Sequence, residues 1–405
     1  MKILVGVLYT LLPEIVVMVL AALLAAQASA FPAAGQLAVE LSACAILLAA
    51  LGLAGQFNRS RLFFALLTLL FGYAAVFALG RYADPLKHYI VSGGLNLFLP
   101  LDILVFACIP ERGVFSRYGG LWFGVLAAET LALWAMVAFP SPLLAQALHV
   151  QFTHLTFLNG SAVTQPALLT TGVGLLWIND RLLRRHDAET AAIFFAFLAI
   201  LPALHGSPLA AAGLYLGAAG LCFGYAVIQG SWTMAYLDEL TGLPGRRALE
   251  EQMRQLGGRY TIAMVDVDHF KHFNDRYGHD VGDQVLRFVA SRLQRPVLVG
   301  KPFRYGGEEF CLLYSGRDLV QVEEELEQVR ADIESCRFDL RQGGRRSEDS
   351  VAHDDHQNML SITVSIGAAQ HGANLDEPWT VLKAADKALY DAKHAGRNRV
   401  SLAGA

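Results

Sequence analysis

Two rhythms of apolar residues divide the chain. As far as about residue 230, apolar residues come in long runs close to the ~20 that a helix needs to cross a bilayer. They predict spans near 3–26, 36–55, 62–80, 88–109, 119–139, 164–179, 188–204 and 209–229. The sixth run is the least apolar. Residues 141–163 before it are amphipathic and suit an interfacial or re-entrant segment, so seven spans is the alternative to eight. The first run is read as an uncleaved helix, since it outlasts a signal-peptide core and further runs follow.

Beyond residue 230 the apolar positions alternate at helix and strand periods. Leu249, Met253 and Leu256 predict a helix over 246–256, and YTIAMVD predicts a buried strand at 260–266. The polar stretch DHFKHFNDRYGHD follows, and then a helix marked by Val281, Val285, Leu286, Val289 and Leu293. Strands near 301–305 and 309–315 meet at Gly306-Gly307, a hairpin signal. Leu319, Val322, Leu326, Val329 and Ile333 mark a helix, SITVSIGAA at 361–369 a strand, and 379–395 a helix stopped by Gly396. A short strand at 398–402 would finish the chain, and 338–358 lacks periodicity and reads as a surface insertion. The order predicts an α+β domain with a central, mostly antiparallel sheet.

Charge sharpens this division. The chain holds 32 Lys/Arg and 36 Asp/Glu, of which residues 1–230 carry only 10 and 9. The predicted organisation is an all-α transmembrane bundle over 1–230, a short connector at 231–237 and a soluble domain over 238–405. Arg59 and Arg61, Arg112 and Arg117, and Arg181, Arg184 and Arg185 fall in alternate loops, which places those loops and both termini in the cytoplasm. Loops near 27–35, 140–163 and 205–208 contain no Lys or Arg, and only Arg81 and Lys87 break the pattern. The net charge of −4 gives no nucleic-acid footprint. The five cysteines show no metal or disulfide spacing. Glu14, Glu40, Asp102 and Glu129 lie in or beside apolar runs, where an acid marks either a ligand or ion site or a structural pair.

Two acidic clusters carry candidate chemistry. Asp266-Val267-Asp268 ends the 260–266 strand, and Glu308-Glu309 adjoins the double glycine of the hairpin. If the hairpin lies beside that strand, the carboxylates converge. A few carboxylates plus phosphate oxygens suit Mg²⁺, and two such ions can steady both the attacking and leaving oxygens of a nucleotidyl transfer. Gly306 and Gly307 clear space for a nucleotide to approach the backbone. Read blandly, the glycines are only a turn and the acids its solvated edge.

Residues 236–402 resemble the GGDEF family of diguanylate cyclases. Five stretches carry the resemblance: DELTGLPGRR (238–247), DVDHFKHFNDRYGHDVGD (266–283), RYGGEEF (304–310), TVSIGAA (363–369) and ADKALYDAKHAGRN (385–398). It implies a palm-like nucleotide-cyclase fold and condensation of two GTP into cyclic di-GMP. By this resemblance Asp266 and Glu309, with the Val267 carbonyl, would bind metal. Glu308 would activate the ribose 3′-hydroxyl as general base or through the second metal. Asn274 and Asp283 would read the guanine edge. Lys271, Lys393, Arg397 and the backbone of His269 and Phe270 would meet phosphate, with Lys393 and Arg397 expected on one helical face. The implied cofactor is Mg²⁺, two per GTP half-site, with Mn²⁺ as the alternative ion.

The resemblance also implies a homodimer, because one domain holds one GTP. The apolar runs and loop charges add a multi-pass region, so the expected protein lies in the bacterial inner membrane, in contact with the lipid bilayer, and answers an unidentified signal ligand. The competing reading is a non-catalytic GTP-binding membrane receptor. Two positions depart from the family pattern. Val297 and Gly300 stand where many members carry the Arg and Asp of an inhibitory product site, so no conventional feedback inhibition is expected. Gly245 replaces the usual Asn of the first motif.

Overall fold

The computed structural model describes residues 2–79, 84–152, 163–185, 187–204, 209–295, 298–339, 359–372 and 375–403. It separates into two compact units, Met1–Trp232 and Thr233–Ala405.

The described part of the first unit is helical: α1 (Lys2–Ala25), α2 (Ala33–Gln56), α3 (Ser60–Leu79), α4 (Pro85–Cys108), α5 (Arg117–Ala138), the short α6 (Pro142–Leu148), α7 (Gln165–Arg185), α8 (Ala188–Leu204) and α9 (Leu209–Tyr236). Five of them, α2, α3, α4, α5 and α9, are long and apolar enough to cross a membrane. Residues 11–25 of α1 and all of α8 are apolar but shorter. The weakest predicted span, 164–179, corresponds to α7, which is not among either group. Its C-terminal turns carry Asn179, Asp180, Arg181, Arg184 and Arg185, which dilute the apolar run.

Packing within this unit uses small residues. Gly213, Gly217 and Gly220 of α9 lie against Ala43, Ile46 and Leu47 of α2. Such a stripe lets backbones approach where lipid offers no hydrophobic drive between helices. Large apolar side chains face outward instead, among them Leu20, Leu41, Leu131, Trp134 and Leu176. Three predicted basic loops meet at one end of the bundle. Arg61 pairs with Glu189 at 2.6 Å, and both Arg61 and Arg181 donate to the Ala107 carbonyl, at 2.6 and 3.1 Å. Arg81 lies outside the described residues.

The second unit is a five-stranded mixed sheet with helices on both faces. Its elements are α10 (Arg246–Arg254), β1 (Tyr260–Val267), α11 (Phe270–Tyr277), α12 (His279–Leu293), β2 (Lys301–Gly306), β3 (Glu309–Ser315), α13 (Leu319–Ser335), β4 (Arg337–Asp339), β5 (Met359–Ser361), β6 (Val364–Gln370), α14 (Pro378–His394) and β7 (Val400–Leu402). The strand order is β2-β3-β1-β6-β7. The first three pairings are antiparallel, and β7 joins β6 in parallel. β4 and β5 pair separately across the predicted insertion, whose residues 340–358 lie outside the described set.

Strand alternation builds two cores. Ala263, Val265, Phe310 and Leu312 face Val285, Val289, Val322 and Leu326 of α12 and α13. Ile262, Met264, Cys311 and Leu313 face Leu249 and Met253 of α10 and Val381, Leu382, Ala385 and Leu389 of α14. Gly367 on β6 permits the closest approach: a Cβ there would sit 1.9 Å from the Leu389 backbone nitrogen. α14 therefore lies directly on the sheet, and one turn beyond Leu389 it delivers Lys393.

Candidate active site

The C-terminal end of β1 carries the first acid. Asp266 is 4% exposed and stands opposite Glu309 of β3 in register, with Ser365 of β6 on its other side. Directly opposed residues point to the same face, here the α14 side. The Lys393 ammonium reaches Asp266 Oδ2 at 2.8 Å. The expected convergence of strand and hairpin is thus present.

The hairpin turn is fixed at both ends. The Val267 amide donates to the Glu308 carbonyl at 3.3 Å, tying the turn to β1. Gly306 and Gly307 are exposed, and Gly307 adopts φ +37°, in the region that favours glycine. From the other side Arg304 donates to the Gly307 carbonyl at 2.7 Å and to Asp238 Oδ1 at 2.7 Å. Asp238 also accepts from the amide and hydroxyl of Thr241, at 2.9 and 2.7 Å. Burial opposes ionisation of Asp238, yet the hydrogen bonds from Thr241 and Arg304 hold its carboxyl below the usual range. Sequence reasoning assigned no role to Asp238 or Arg304. The available signal was their opposite charge within two of the quoted stretches.

All three central acids are harder to ionise than free carboxyls. Burial raises Asp266, and Lys393 only partly offsets it. Burial raises Glu308 and Glu309, and the charge of Asp266 raises both further. Asp386 on α14 adds to the effect at Glu309. Acids that destabilise one another's charge are suited to a cation that neutralises them together. Among the described residues no three His, Cys, Asp or Glu side chains stand close enough to enclose an ion. Lys393 supplies the positive charge at Asp266 instead. The donor set, all hard carboxylate oxygen beside an open glycine turn, fits Mg²⁺ or Mn²⁺ completed by phosphate and water.

After β1 the chain turns sharply. Asp268 is 9% exposed and accepts from the hydroxyls of Thr363 at 2.8 Å and Ser365 at 2.7 Å, and from the Asn398 amide at 3.0 Å. It is a buried organiser that ties the turn at 397–398 to the sheet. His269 adopts φ +57° and leads into α11, so the amides near His269 and Phe270 begin a helix. Phe270 is buried in the core, and Lys271 is exposed. That α11 lies in a stretch read only as polar reflects its few apolar anchors, chiefly Phe270 and Phe273.

Asn274 on α11 and Asp283 on α12 are both half-buried, on helices that share Gly278 at their junction. The Asn274 Oδ1 is buried with no hydrogen-bond partner among the described residues. A Cβ on Gly282 would lie 1.9 Å from it, so glycine there leaves the amide room. A buried acceptor without a partner is a place for a ligand N–H.

One expectation is corrected. Lys393 and Arg397 do not share a helical face. α14 ends at His394, Gly396 takes φ +113°, and Arg397 follows at φ +63°. The left-handed turn carries Arg397 off the helix, although its charge still acts on Asp266.

At the predicted inhibitory position, the Val299 and Gly300 amides both donate to Glu325 at 3.1 Å. A Cβ on Gly300 would meet the Tyr314 ring at 2.5 Å. Val297 lies outside the described residues. Gly245 opens α10 without a side-chain cap, the service an Asn would supply there.

A mixed sheet with acids at one strand end, an apposed lysine and a glycine turn has the parts needed to hold a polyphosphate through divalent cations. Residues 235–399 match the family model described as "Diguanylate cyclase, GGDEF domain". The second unit thus carries a GGDEF domain. Over 178 residues it is 36% identical to "Response regulator PleD" of Caulobacter vibrioides, a match covering 42% of this chain and 36% of that protein. It is 40% identical over 172 residues to "Diguanylate cyclase VdcA" of Vibrio cholerae, covering 41% of this chain and 46% of that one. The chain therefore spans under half the length of these relatives. Among solved structures it is similar to the GGDEF domain of DgcB from Caulobacter crescentus in complex with c-di-GMP. That match has 35% identity and a TM-score of 0.37, and covers 42% of this chain and 94% of that chain.

Proposed function

We propose that this protein is a membrane-bound diguanylate cyclase, which condenses two GTP into cyclic di-GMP and two pyrophosphates. The observation that carries the reading is the cross-strand pair of Asp266 and Glu309, with Lys393 on Asp266 and the Gly306-Gly307 turn beside it. In each half-reaction the 3′-hydroxyl of one GTP attacks the α-phosphorus of the other. The P–O bond to pyrophosphate breaks, and the hydroxyl proton leaves through a base.

Asp266, Glu309 and the Val267 carbonyl hold metal, and Glu308 serves the 3′-hydroxyl. Mg²⁺ held there, two per half-site, would supply positive charge to the phosphates and to the attacking and leaving oxygens. Lys271, Lys393, Arg397 and the first amides of α11 at His269 and Phe270 attract phosphate. Asn274 and Asp283 accept from the guanine edge. Adenine lacks the matching donors and would leave buried acceptors unpaired, a strong penalty. Because each domain holds one GTP, two copies must face each other, and catalysis is mostly positioning.

The first unit spans the bacterial inner membrane, with eight helices in the preferred arrangement and the GGDEF domain in the cytoplasm, and it regulates output. Outward apolar side chains, sparse charge and the gathering of Arg61 and Arg181 at one bundle end support this reading. The test is purified full-length protein with Mg²⁺ and GTP, followed for pyrophosphate and cyclic dinucleotide, with ATP as competitor. Pyrophosphate release that GTP supports and ATP does not is expected. GTP retained without turnover would instead indicate a receptor.

A further inference from the structure

The first unit contains a cavity of about 310 Å³ between α3, α4 and α5. Its wall is mostly apolar and includes Phe71, Phe98 and Trp134; the polar exceptions are two acids and two threonines, Thr68 and Thr130. Asp102 of α4 is 6% exposed, and Glu129 of α5 stands within hydrogen-bonding reach of it. The Thr68 hydroxyl of α3 approaches Asp102 at 3.4 Å, a long contact. Among the described residues no Lys or Arg lines the cavity.

This combination separates the pair from an ordinary structural contact. A buried carboxylate is normally answered by a cation or by several donors. Arg61 at the end of the same bundle meets Glu189 in that way. Among the described residues Asp102 and Glu129 instead have each other and a distant hydroxyl, at the wall of the cavity. Two adjacent carboxyl groups in apolar surroundings offer a place for a positive partner. The space beside them is the size of a small ligand site, and its mostly aliphatic wall also carries the aromatic faces of Phe71, Phe98 and Trp134. Such faces attract a cation through the ring quadrupole. An inorganic ion would use the acids and leave the aromatic space unfilled. An organic cation with an apolar body would use both.

We propose that the cavity between α3, α4 and α5 is a binding site for a monovalent organic cation, an ammonium carried on a small aromatic or aliphatic body. Asp102 and Glu129 receive the charge, and the body lies along Phe98, with Phe71 and Trp134 at the outward rim. The site belongs to the first unit and does not depend on turnover. Its failure would leave the cyclase reading intact, and the reverse also holds.

The test uses full-length protein in zwitterionic lipid nanodiscs, without nucleotide. The probe is benzyltrimethylammonium, and the control is neopentylbenzene, its uncharged isostere. Equilibrium dialysis should give saturable binding of the cation, at least about tenfold tighter than the neutral compound, the scale of one lost charge contact. Glu129→Gln should weaken cation binding at least about tenfold and leave the neutral compound unchanged. Glu129 is only half-buried, so this variant disturbs folding less than Asp102→Asn. Trp134→Leu supplies a second variant with both carboxyls intact, and it should weaken the cation severalfold. Equal binding of the two isosteres, or cation binding indifferent to both variants, would overturn the proposal. So would displacement of nothing but sodium from the acids.

Discussion

Buried acids occur in both units, and their surroundings differ. In the GGDEF domain Asp266 meets Lys393, the half-buried Asp238 meets Arg304, and Asp268 is closed by two hydroxyls and an amide. In the first unit Asp102 meets another acid, Glu129, at the wall of a cavity, and neither oxygen of the 1%-exposed Glu14 has a partner among the described residues. Burial alone therefore says little about an acid's role. What separates a positioned carboxylate from an unanswered one is the supply of donors and positive charge around it.

The largest expected effect breaks the GGDEF side of that contrast. Glu309→Ala removes the acid opposite Asp266 and should lower cyclic di-GMP formation about 100-fold or more, as loss of transition-state charge stabilisation does. Hydrogen exchange of β1 should stay near wild type, because Glu309 ends its strand and is not in the core. Loss of β1 protection alongside activity would make the residue structural.

Lys393→Met sharpens the comparison by turning Asp266 into an acid without a partner. It should destabilise β1 by about 2 kcal/mol in metal-free buffer, below the full cost of a buried pair because Lys393 is partly exposed. Added Mg²⁺ should narrow the difference, read as hydrogen-exchange protection of β1 amides. An equal deficit with and without Mg²⁺ would mean that the lysine serves packing alone.

Asp238→Asn tests the clamp on the glycine turn and should cost about 1–2 kcal/mol near neutral pH. The folded carboxyl titrates below its ordinary range, so its stabilisation is present above the unfolded pKa. It is lost as pH falls through the depressed value. The gap between wild type and variant should therefore close below about pH 4. The smallest effect concerns Gly300. Excess cyclic di-GMP should leave the initial rate unchanged, since Glu325 and Tyr314 occupy the surroundings of the position where an inhibitory Asp would stand. A falling rate would place product binding elsewhere.

Much of this was legible in the sequence because the chemistry sits in contiguous stretches. The acids at 266 and 309 adjoin strongly patterned strands, and the register that joins them follows from two short apolar runs and a double glycine. The helix at 270–277 was hidden because tertiary contacts at Phe270 and Phe273, and not periodicity, hold it. The turn that removes Arg397 from α14 was hidden because helix spacing ignores a positive φ two residues earlier. The parallel β7 depends on a crossover that no local pattern reports. In the first unit the sequence exposed Asp102 and Glu129 as costly residues, but their meeting at a cavity needed the packing of three helices.

The most direct measurement compares full-length wild type with Glu308→Ala at GTP concentrations giving equal nucleotide occupancy, and identifies every nucleotide formed. Glu308 stands beside the Asp266–Glu309 pair and outside both cores, so its loss should leave GTP bound but unreacted. Wild type should yield cyclic di-GMP and pyrophosphate, and the variant neither. Intact GTP from both proteins, or the same product from both, would contradict the assignment of these acids to nucleotidyl transfer.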